Sequence, residues 1–428
     1  MLKVKNNQVE FCPHDPLWEK EAEKAINILK NIFKEYAVDI QHIGSTAIKK
    51  IKSKPIIDIA VGITDIKTIN LFKSQMRVNG FIYNAKSDNN RQLFFKTNNL
   101  NNRTHNIYIV NYNSNFWYEY IVFRDYMNIN ENKAREYETL KLTMNGKYKY
   151  ALPTFIKAKA DFIRKIIDDN FYVMMFGKPV EITVDKSISC NYPKIIGDVF
   201  PMVYGIADGL KTPSGKNQEA YIIGMGDAPE KLTVEIIAYM AQKNKIKAEN
   251  NIKFIAAKNN MIFYKPEIQN ALEFFDPSIK DTDINKEFEL VCMYEKSCGA
   301  VVYTKDENSI KFLLIKSTSN RIGFPKGHIE KGETETDTAV REIYEETSLN
   351  VVLYTDFKEE YNYTINGYIR KKVIYFLAEF NVKDKYKILD KEITEQWLLP
   401  FEEAYRMLRF NQDKDILKRA YEKITGQK

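Results

Sequence analysis

The sequence predicts a multidomain α+β protein, and three observations carry that prediction. The chain has 428 residues, too many for one hydrophobic core, so two to three domains are expected. Its patterning changes twice: helical periodicity with a buried strand first, then short β-like runs between Gly, Pro and Asn turns, then a mixed strand and helix pattern. Finally, three glutamates near the carboxyl end stand at helical spacing inside an otherwise mixed α/β segment. The expected domains are residues 1–172, 173–288 and 289–428.

In chain order, Asp15-Pro16 opens an amphipathic helix with Ala22, Ala25, Ile26, Leu29, Ile32 and Phe33 on its apolar side. Pro55 to Ile63 is almost continuously apolar and reads as a buried strand. Phe155 to Ile167 is a second amphipathic helix, ended by Asp168-Asp169-Asn170. Val180 to Val184, Tyr221 to Met225, Leu232 to Met240 and Ile252 to Ala257 are the β-like runs of a small β-rich unit. A polar stretch, Asp276 to Lys286, closes it. A strand over Ser297 to Tyr303 opens the last unit. Its final helix carries Ile416, Leu417, Ala420, Tyr421 and Ile424 on one side.

Composition narrows the class. Apolar residues at 44% and charged residues at 28% describe an ordinary globular protein. A net charge of +7 suits anionic substrates such as nucleotides without demanding nucleic acid. Lys49, Lys50, Lys52 and Lys54 cluster after the Gly44–Ser45 loop, a solvated face or an attractor for RNA or polyphosphate. Cys12, Cys190, Cys292 and Cys298 are scattered, so neither structural zinc nor a disulfide framework is expected. No signal peptide and no apolar run of bilayer-spanning length is visible. The expectation is a cytoplasmic protein without a membrane partner.

The most informative stretch is Gly327 to Leu349. Glu342, Glu345 and Glu346 fall at i, i+3 and i+4 and share one face of a helix. Crowded carboxylates repel unless a hard divalent cation lies between them, so the expected cofactor is Mg²⁺, with Mn²⁺ as the alternative ion. Thr334 to Asp337 resembles a capping box for that helix, and Ala339, Ile343 and Tyr344 supply its packed side. Gly327, Glu333, Arg341-Glu342, Glu345-Glu346 and Leu349 together match the Nudix box, with Ser348 where the pattern has Gly. A left-handed residue other than Gly there costs on the order of 1 kcal/mol, far from the carboxylates.

Residues 290–428 therefore resemble Nudix hydrolases, whose fold is an α/β/α sandwich with a mixed sheet. Cys298-Gly299-Ala300, Phe324-Pro325-Lys326-Gly327-His328, Glu360-Tyr361-Asn362-Tyr363 and Val373-Ile374-Tyr375-Phe376 narrow the likeness to asymmetric diadenosine tetraphosphate hydrolases. The resemblance implies metal-assisted hydrolysis of a phosphoanhydride. Glu342, Glu345 and Glu346 would bind metal with the Lys326 carbonyl, and Glu345 or Glu346 would take the proton from water. Arg341 and Glu333 would hold the carboxylates in place. Lys326 and His328 would contact phosphates, Tyr363 and Tyr375 would sandwich a purine, and Glu392, or else Glu395, would assist.

His42-Ile43-Gly44-Ser45-Thr46-Ala47 and Lys54-Pro55-Ile56-Ile57-Asp58-Ile59, with Arg103-Thr104-His105-Asn106 downstream, resemble the GrpB-like family over residues 8–170. That likeness implies a nucleotidyltransferase-like α/β fold. Gly44 lets backbone N–H groups approach a phosphate and Ser45 adds a hydroxyl. Asp58, inside an apolar strand, needs a metal or a cation. Gly44, Ser45, Asp58 and His105 form the candidate N-terminal nucleotide site. Ala60 stands where a two-metal transferase carries its second carboxylate.

Gly177-Lys178-Pro179-Val180 and Phe200-Pro201-Met202-Val203-Tyr204-Gly205 resemble β-barrel inorganic pyrophosphatases. Ser214-Gly215-Lys216-Asn217-Gln218-Glu219 replaces their acidic metal loop, so this part is expected to be inactive. The expected function is Mg-dependent hydrolysis of a dinucleoside polyphosphate such as diadenosine tetraphosphate. The alternatives are a bifunctional transferase and hydrolase, or a nucleotide sensor with RNA 5′-end pyrophosphohydrolase activity.

Overall fold

A computed structural model describes residues 11–84, 89–147, 152–187, 199–244, 250–276, 286–307, 309–388 and 391–426. Most of the expected polar stretch at 276–286 lies outside them. The chain forms two compact units, one of residues 1–192, 202–260 and 283–289, the other of residues 193–201, 261–282 and 290–428.

The first unit begins with α1 (Leu17–Phe33), β1 (Ala37–Ile43) and β2 (Ile57–Ile63). Next come α2 (Lys73–Val78), β3 (Ile82–Tyr83), β4 (Arg91–Thr97) and β5 (Arg103–Asn111), followed by α3 (Asn115–Ile129), α4 (Glu131–Lys147) and α5 (Leu152–Met174). The sheet order is β1-β2-β5-β4-β3, and only β2–β5 is parallel. The apolar run of β2 is buried because it is central and covered on both faces. Leu29 and Phe33 of α1 pack with Ile57, Ile59 and Ile63 in one cluster. Phe123, Tyr137, Ile166 and Ile167 of α3, α4 and α5 form another, with Ile48 and Ile51.

The same unit holds a closed five-stranded barrel. Its strands are β6 (Pro179–Val184), β7 (Met202–Lys211), β8 (Asn217–Ile223), β9 (Lys231–Asn244) and β10 (Asn250–Ala257). Strand β10 pairs with both β8 and β9, which closes the ring and leaves none of the five as a free edge.

The second unit holds α6 (Lys265–Phe275), and β11 (Lys286–Cys292) leads the chain into β12 (Tyr294–Lys305). Then follow β13 (Ile310–Ser317), β14 (Ile322–Gly323), β15 (Lys326–His328), α7 (Glu335–Thr347), β16 (Val352–Ile365), β17 (Ile369–Glu379), β18 (Ile393–Pro400), α8 (Phe401–Met407) and α9 (Asn411–Thr425). The sheet is mixed: β12 runs parallel to β17, and β16, β13, β14, β15 and β18 pair antiparallel. Strand alternation sorts its two faces. Ala300, Val302, Ile374 and Phe376 meet Ala339 and Ile343 of α7. Val301, Tyr303, Val373 and Tyr375 meet Ala404, Ile416, Leu417 and Ala420 of α8 and α9. This is the expected α/β/α sandwich. No helix among the described residues is long and apolar enough to cross a membrane.

Candidate functional site

Helix α7 starts where the capping box predicts. The Thr334 hydroxyl accepts from the Asp337 N–H at 3.2 Å, and the Asp337 carboxylate accepts from the Thr334 N–H at 2.9 Å. Ala339 and Ile343 bury the inner stripe, so the glutamate face turns toward β15.

Arg341 organises that face. It donates Nε to Glu333 at 2.5 Å and Nη2 to the other Glu333 oxygen at 2.9 Å, a two-point fork. Its Nη1 reaches Glu342 at 2.8 Å and Glu345 at 2.9 Å, and its Nη2 also holds the His328 carbonyl at 2.9 Å. The Arg341 hydrogen bonds hold Glu333 well below the usual carboxylate range, at about 2. Burial pushes Glu342 up. Glu346, buried, accepts from the Lys326 N–H at 2.9 Å. Helix and strand are thus joined through carboxylates.

Gly327 shows how close that approach is. A Cβ on Gly327 would fall onto the Glu342 carboxylate. One strand over, a Cβ on Gly299 would meet the Pro325 carbonyl and Lys326. Both glycines are needed for space rather than for backbone freedom.

The donors suit a hard cation. Glu342 and Glu345 converge on one guanidinium nitrogen, and every side-chain donor in the set is a carboxylate oxygen. As the side chains lie, no group of three or more His, Cys, Asp or Glu among the described residues is gathered to hold a metal. The Arg341 charge stands between two of the carboxylates instead. The donor chemistry fits a divalent ion that takes over this role.

The remaining residues expected at the site separate. The His328 side chain, 62% exposed, lies beside Glu295 at 3.1 Å and Lys371 at 2.9 Å. Lys326 is held down to about 8 by burial and by its neighbours Lys371 and Arg321. Tyr363 stacks on Tyr361 at 5.9 Å and takes a hydrogen bond from Arg321 at 3.2 Å. Tyr375 is only 1% exposed and packs edge-on against Phe324 at 5.3 Å. Its place is in the core beneath α9, so it offers no open face to a purine. Glu392 is exposed in the turn before β18, where its carbonyl accepts from the Thr318 N–H at 2.8 Å. Glu395 pairs with Lys316 at 2.6 Å. Neither is among the partners of Arg341.

Sequence reasoning missed Arg321, Asp413 and Phe410. The Arg321 guanidinium lies 5.6 Å from the Tyr363 ring and 5.1 Å from the Phe410 ring. It donates to the Tyr361 hydroxyl at 3.2 Å, and Asp413 stands 4.0 Å away. Asp413 is 1% exposed; one oxygen accepts from Tyr361 at 3.1 Å and the other has no hydrogen-bond partner. Burial pushes its carboxyl up. No local spacing announces this cluster, because α9 and the loop before β14 meet only in the fold.

In the first unit, Gly44 has φ +71° and a Cβ there would strike the Asp58 carboxylate. Asp58 accepts from Asn106 at 2.8 Å, its register partner across β2–β5. Burial pushes Asp58 up against that hydrogen bond and the nearby Lys159 and Arg103. His105, one residue earlier on β5, faces the opposite side and contacts Thr104 at 2.9 Å. It is not brought to Asp58; Asn106 is. Ser45 opens a short 3₁₀ turn, and its carbonyl accepts from the Ser53 hydroxyl at 2.8 Å. In the barrel, Ser214 to Lys216 form the β7–β8 turn, and Glu219 is paired with Lys253 at 2.9 Å.

Comparison with known proteins matches two families to this chain. The GrpB protein family matches residues 8–169 and the NUDIX domain family matches residues 293–421. Glutamate-rich protein GrpB of Alkalihalophilus pseudofirmus is 34% identical over 173 residues, covering 40% of this chain and 99% of that protein. The asymmetrical bis(5'-nucleosyl)-tetraphosphatase of Sus scrofa is 31% identical over 139 residues, covering 30% of this chain and 93% of that protein. A crystal structure of a C. elegans Ap4A hydrolase binary complex aligns at 27% identity over 31% of this chain and 98% of its own, with a TM-score of 0.30. The chain belongs to both families: it is a Nudix hydrolase that also carries a GrpB domain.

Proposed function

We propose that the Nudix unit hydrolyses a phosphoanhydride bond of a dinucleoside polyphosphate, with diadenosine tetraphosphate as the leading substrate and Mg²⁺ as the ion. The observation that carries this reading is the Arg341 network, which draws Glu333, Glu342 and Glu345 together beside the Lys326–Glu346 contact. The 31% identity to a tetraphosphatase supports the substrate class. Glu342, Glu345 and Glu346 would hold the ion, with the Lys326 carbonyl. The ion would neutralise phosphate charge and make bound water more acidic.

The chain's own residues have separable tasks. Arg341 and Glu333 fix the carboxylate positions from behind. The Glu345 side chain is 50% exposed, whereas Glu346 is 8% exposed and hydrogen-bonded to backbone. Glu345 is therefore the one that water reaches, and it takes the proton. Lys326 and His328 meet phosphate oxygens. Arg321, Tyr363 and Phe410 offer a planar cation between rings, which suits a purine and its adjacent phosphate.

The test is direct. Purified protein with Mg²⁺ should release ATP and AMP from diadenosine tetraphosphate, and Glu345→Gln should lower turnover by at least about 100-fold. Turnover unchanged in that variant would remove the mechanism. The GrpB domain reads as a nucleotide-binding site rather than a transferring one, because Asp58 stands without a second carboxylate at Ala60. Label transferred from a nucleoside triphosphate to an acceptor, and lost in Asp58→Ala, would overturn that.

A further inference from the structure

A cavity of about 600 Å³ lies within the second unit, between α6 and the edge formed by β12 and β15. That volume falls in the range of small-molecule sites. Much of its wall comes from outside the NUDIX match at 293–421: Tyr264 and Lys265 at the start of α6, and Leu290, Val291 and Cys292 of β11. The cavity is thus an addition made by this chain to the part that matches the family.

Its chemistry is mixed in a specific way. Leu290, Val291 and Ile329 give an apolar floor, and Tyr264 gives one aromatic ring. Of the lysines, Lys296 lies over the Tyr264 ring at 4.4 Å and pairs with Glu335 at 3.2 Å, and Lys331 pairs with Glu273 at 2.5 Å. Lys265 is exposed and makes no ion pair among the described residues. Two carboxylates also line the cavity: Glu295, paired with His328 at 3.1 Å, and exposed Glu330. An aromatic ring, an apolar floor and the exposed Lys265 ammonium suit a nucleoside carrying phosphate.

The cavity also connects to the carboxylate site through His328 and through Glu330, whose N–H donates to Glu333 at 3.0 Å. The His328 carbonyl is held by Arg341 at 2.9 Å, while the His328 side chain lines the cavity. Lys326, at the start of β15, is in electrostatic contact with Arg321 and Asp413 of the Arg321–Tyr363–Phe410 cluster, while His328, at its end, lines the cavity. An aromatic–cation cluster and a cavity therefore lie toward the two ends of Lys326–His328. A dinucleoside polyphosphate has two bases with phosphates between them.

We propose that this cavity receives the second nucleoside of a dinucleoside polyphosphate whose phosphates lie at the α7 carboxylates. The proposal rests on the hydrolase reading given above. Tyr264 and Lys265 would then set the preference for two-headed over one-headed substrates. Tyr264→Ala keeps the backbone N–H that caps α6 through Glu267 at 2.6 Å, and Lys265→Ala removes an exposed side chain, so both variants should fold.

The experiment compares kcat/KM for diadenosine tetraphosphate and for adenosine tetraphosphate in the full-length protein and both variants. The ratio of the two should fall about tenfold in each variant, mainly through KM for the dinucleotide. An unchanged ratio, whether or not both rates drop, overturns the proposal. If the unmodified protein cleaves neither compound, the hydrolase reading fails. The cavity is then judged by calorimetric titration with a methylene-bridged diadenosine tetraphosphate analogue. Tighter binding to the unmodified protein than to the variants supports it; equal binding, or none, overturns it.

Discussion

Ser348 shows how a single residue can depart from a motif at little cost. It ends α7 in the left-handed region at φ +62°, where a Cβ costs on the order of 1 kcal/mol. Its hydroxyl accepts from the Lys387 N–H at 3.1 Å, an N–H shared with the Thr347 carbonyl at 3.0 Å, so the bond is worth at most about 1 kcal/mol net. The two terms offset each other. Ser348→Gly should therefore change unfolding free energy by less than about 1 kcal/mol, while Ser348→Ala keeps the strain, loses the bond and should cost at most about 1 kcal/mol. Chemical denaturation of both variants measures the difference. A larger loss in Ser348→Gly than in Ser348→Ala would contradict this account.

At the scale of elements, the meeting of β15 and α7 governs the site. Gly327 is tight because the Glu342 carboxylate fills the space a methyl group would need. Gly327→Ala should push that carboxylate away from Arg341 and lower turnover by more than about tenfold. The circular dichroism spectrum should stay close to that of the unmodified protein, since the hydrophobic faces of α7 and the sheet are untouched. Turnover within twofold of the original would mean that Glu342 does not need its present position. The helix itself was legible because Arg341, Glu342, Glu345 and Glu346 are neighbours in the chain, where spacing alone fixes a shared face. Tyr363 and Tyr375 were not separable in this way. Both are aromatic residues in strands, and only the covering of the central strand β17 by α9 buries one of them.

At the scale of the whole molecule, the two units should answer acid differently. Burial holds His42 and His105 of the first unit down to about 4, from an ordinary 6.5. Both are neutral in the folded protein and take up protons once unfolded. Their contribution is fully present above pH 6.5 and is lost as pH falls from 6.5 toward 4. The melting temperature of the first unit should drop across that window, and His42→Gln should reduce the slope. Differential scanning calorimetry with a pH series checks it; a flat response between pH 6.5 and 4 would show that these rings are not held neutral.

The sequence by itself determined the α7 carboxylate face, its capping, the Gly44–Ser45 turn beside an apolar strand, and the kinds of fold along the chain. Those features are written in contacts between near neighbours, or in periodicities that a strand or helix must obey. Only the tertiary structure decided that Asn106 rather than His105 meets Asp58, that Tyr375 is core, and that Arg321 and Asp413 join one cluster. Each of these depends on strand register or on packing between distant segments. A shift of one residue turns a side chain to the other face of a sheet, and local pattern does not fix which segment covers that face.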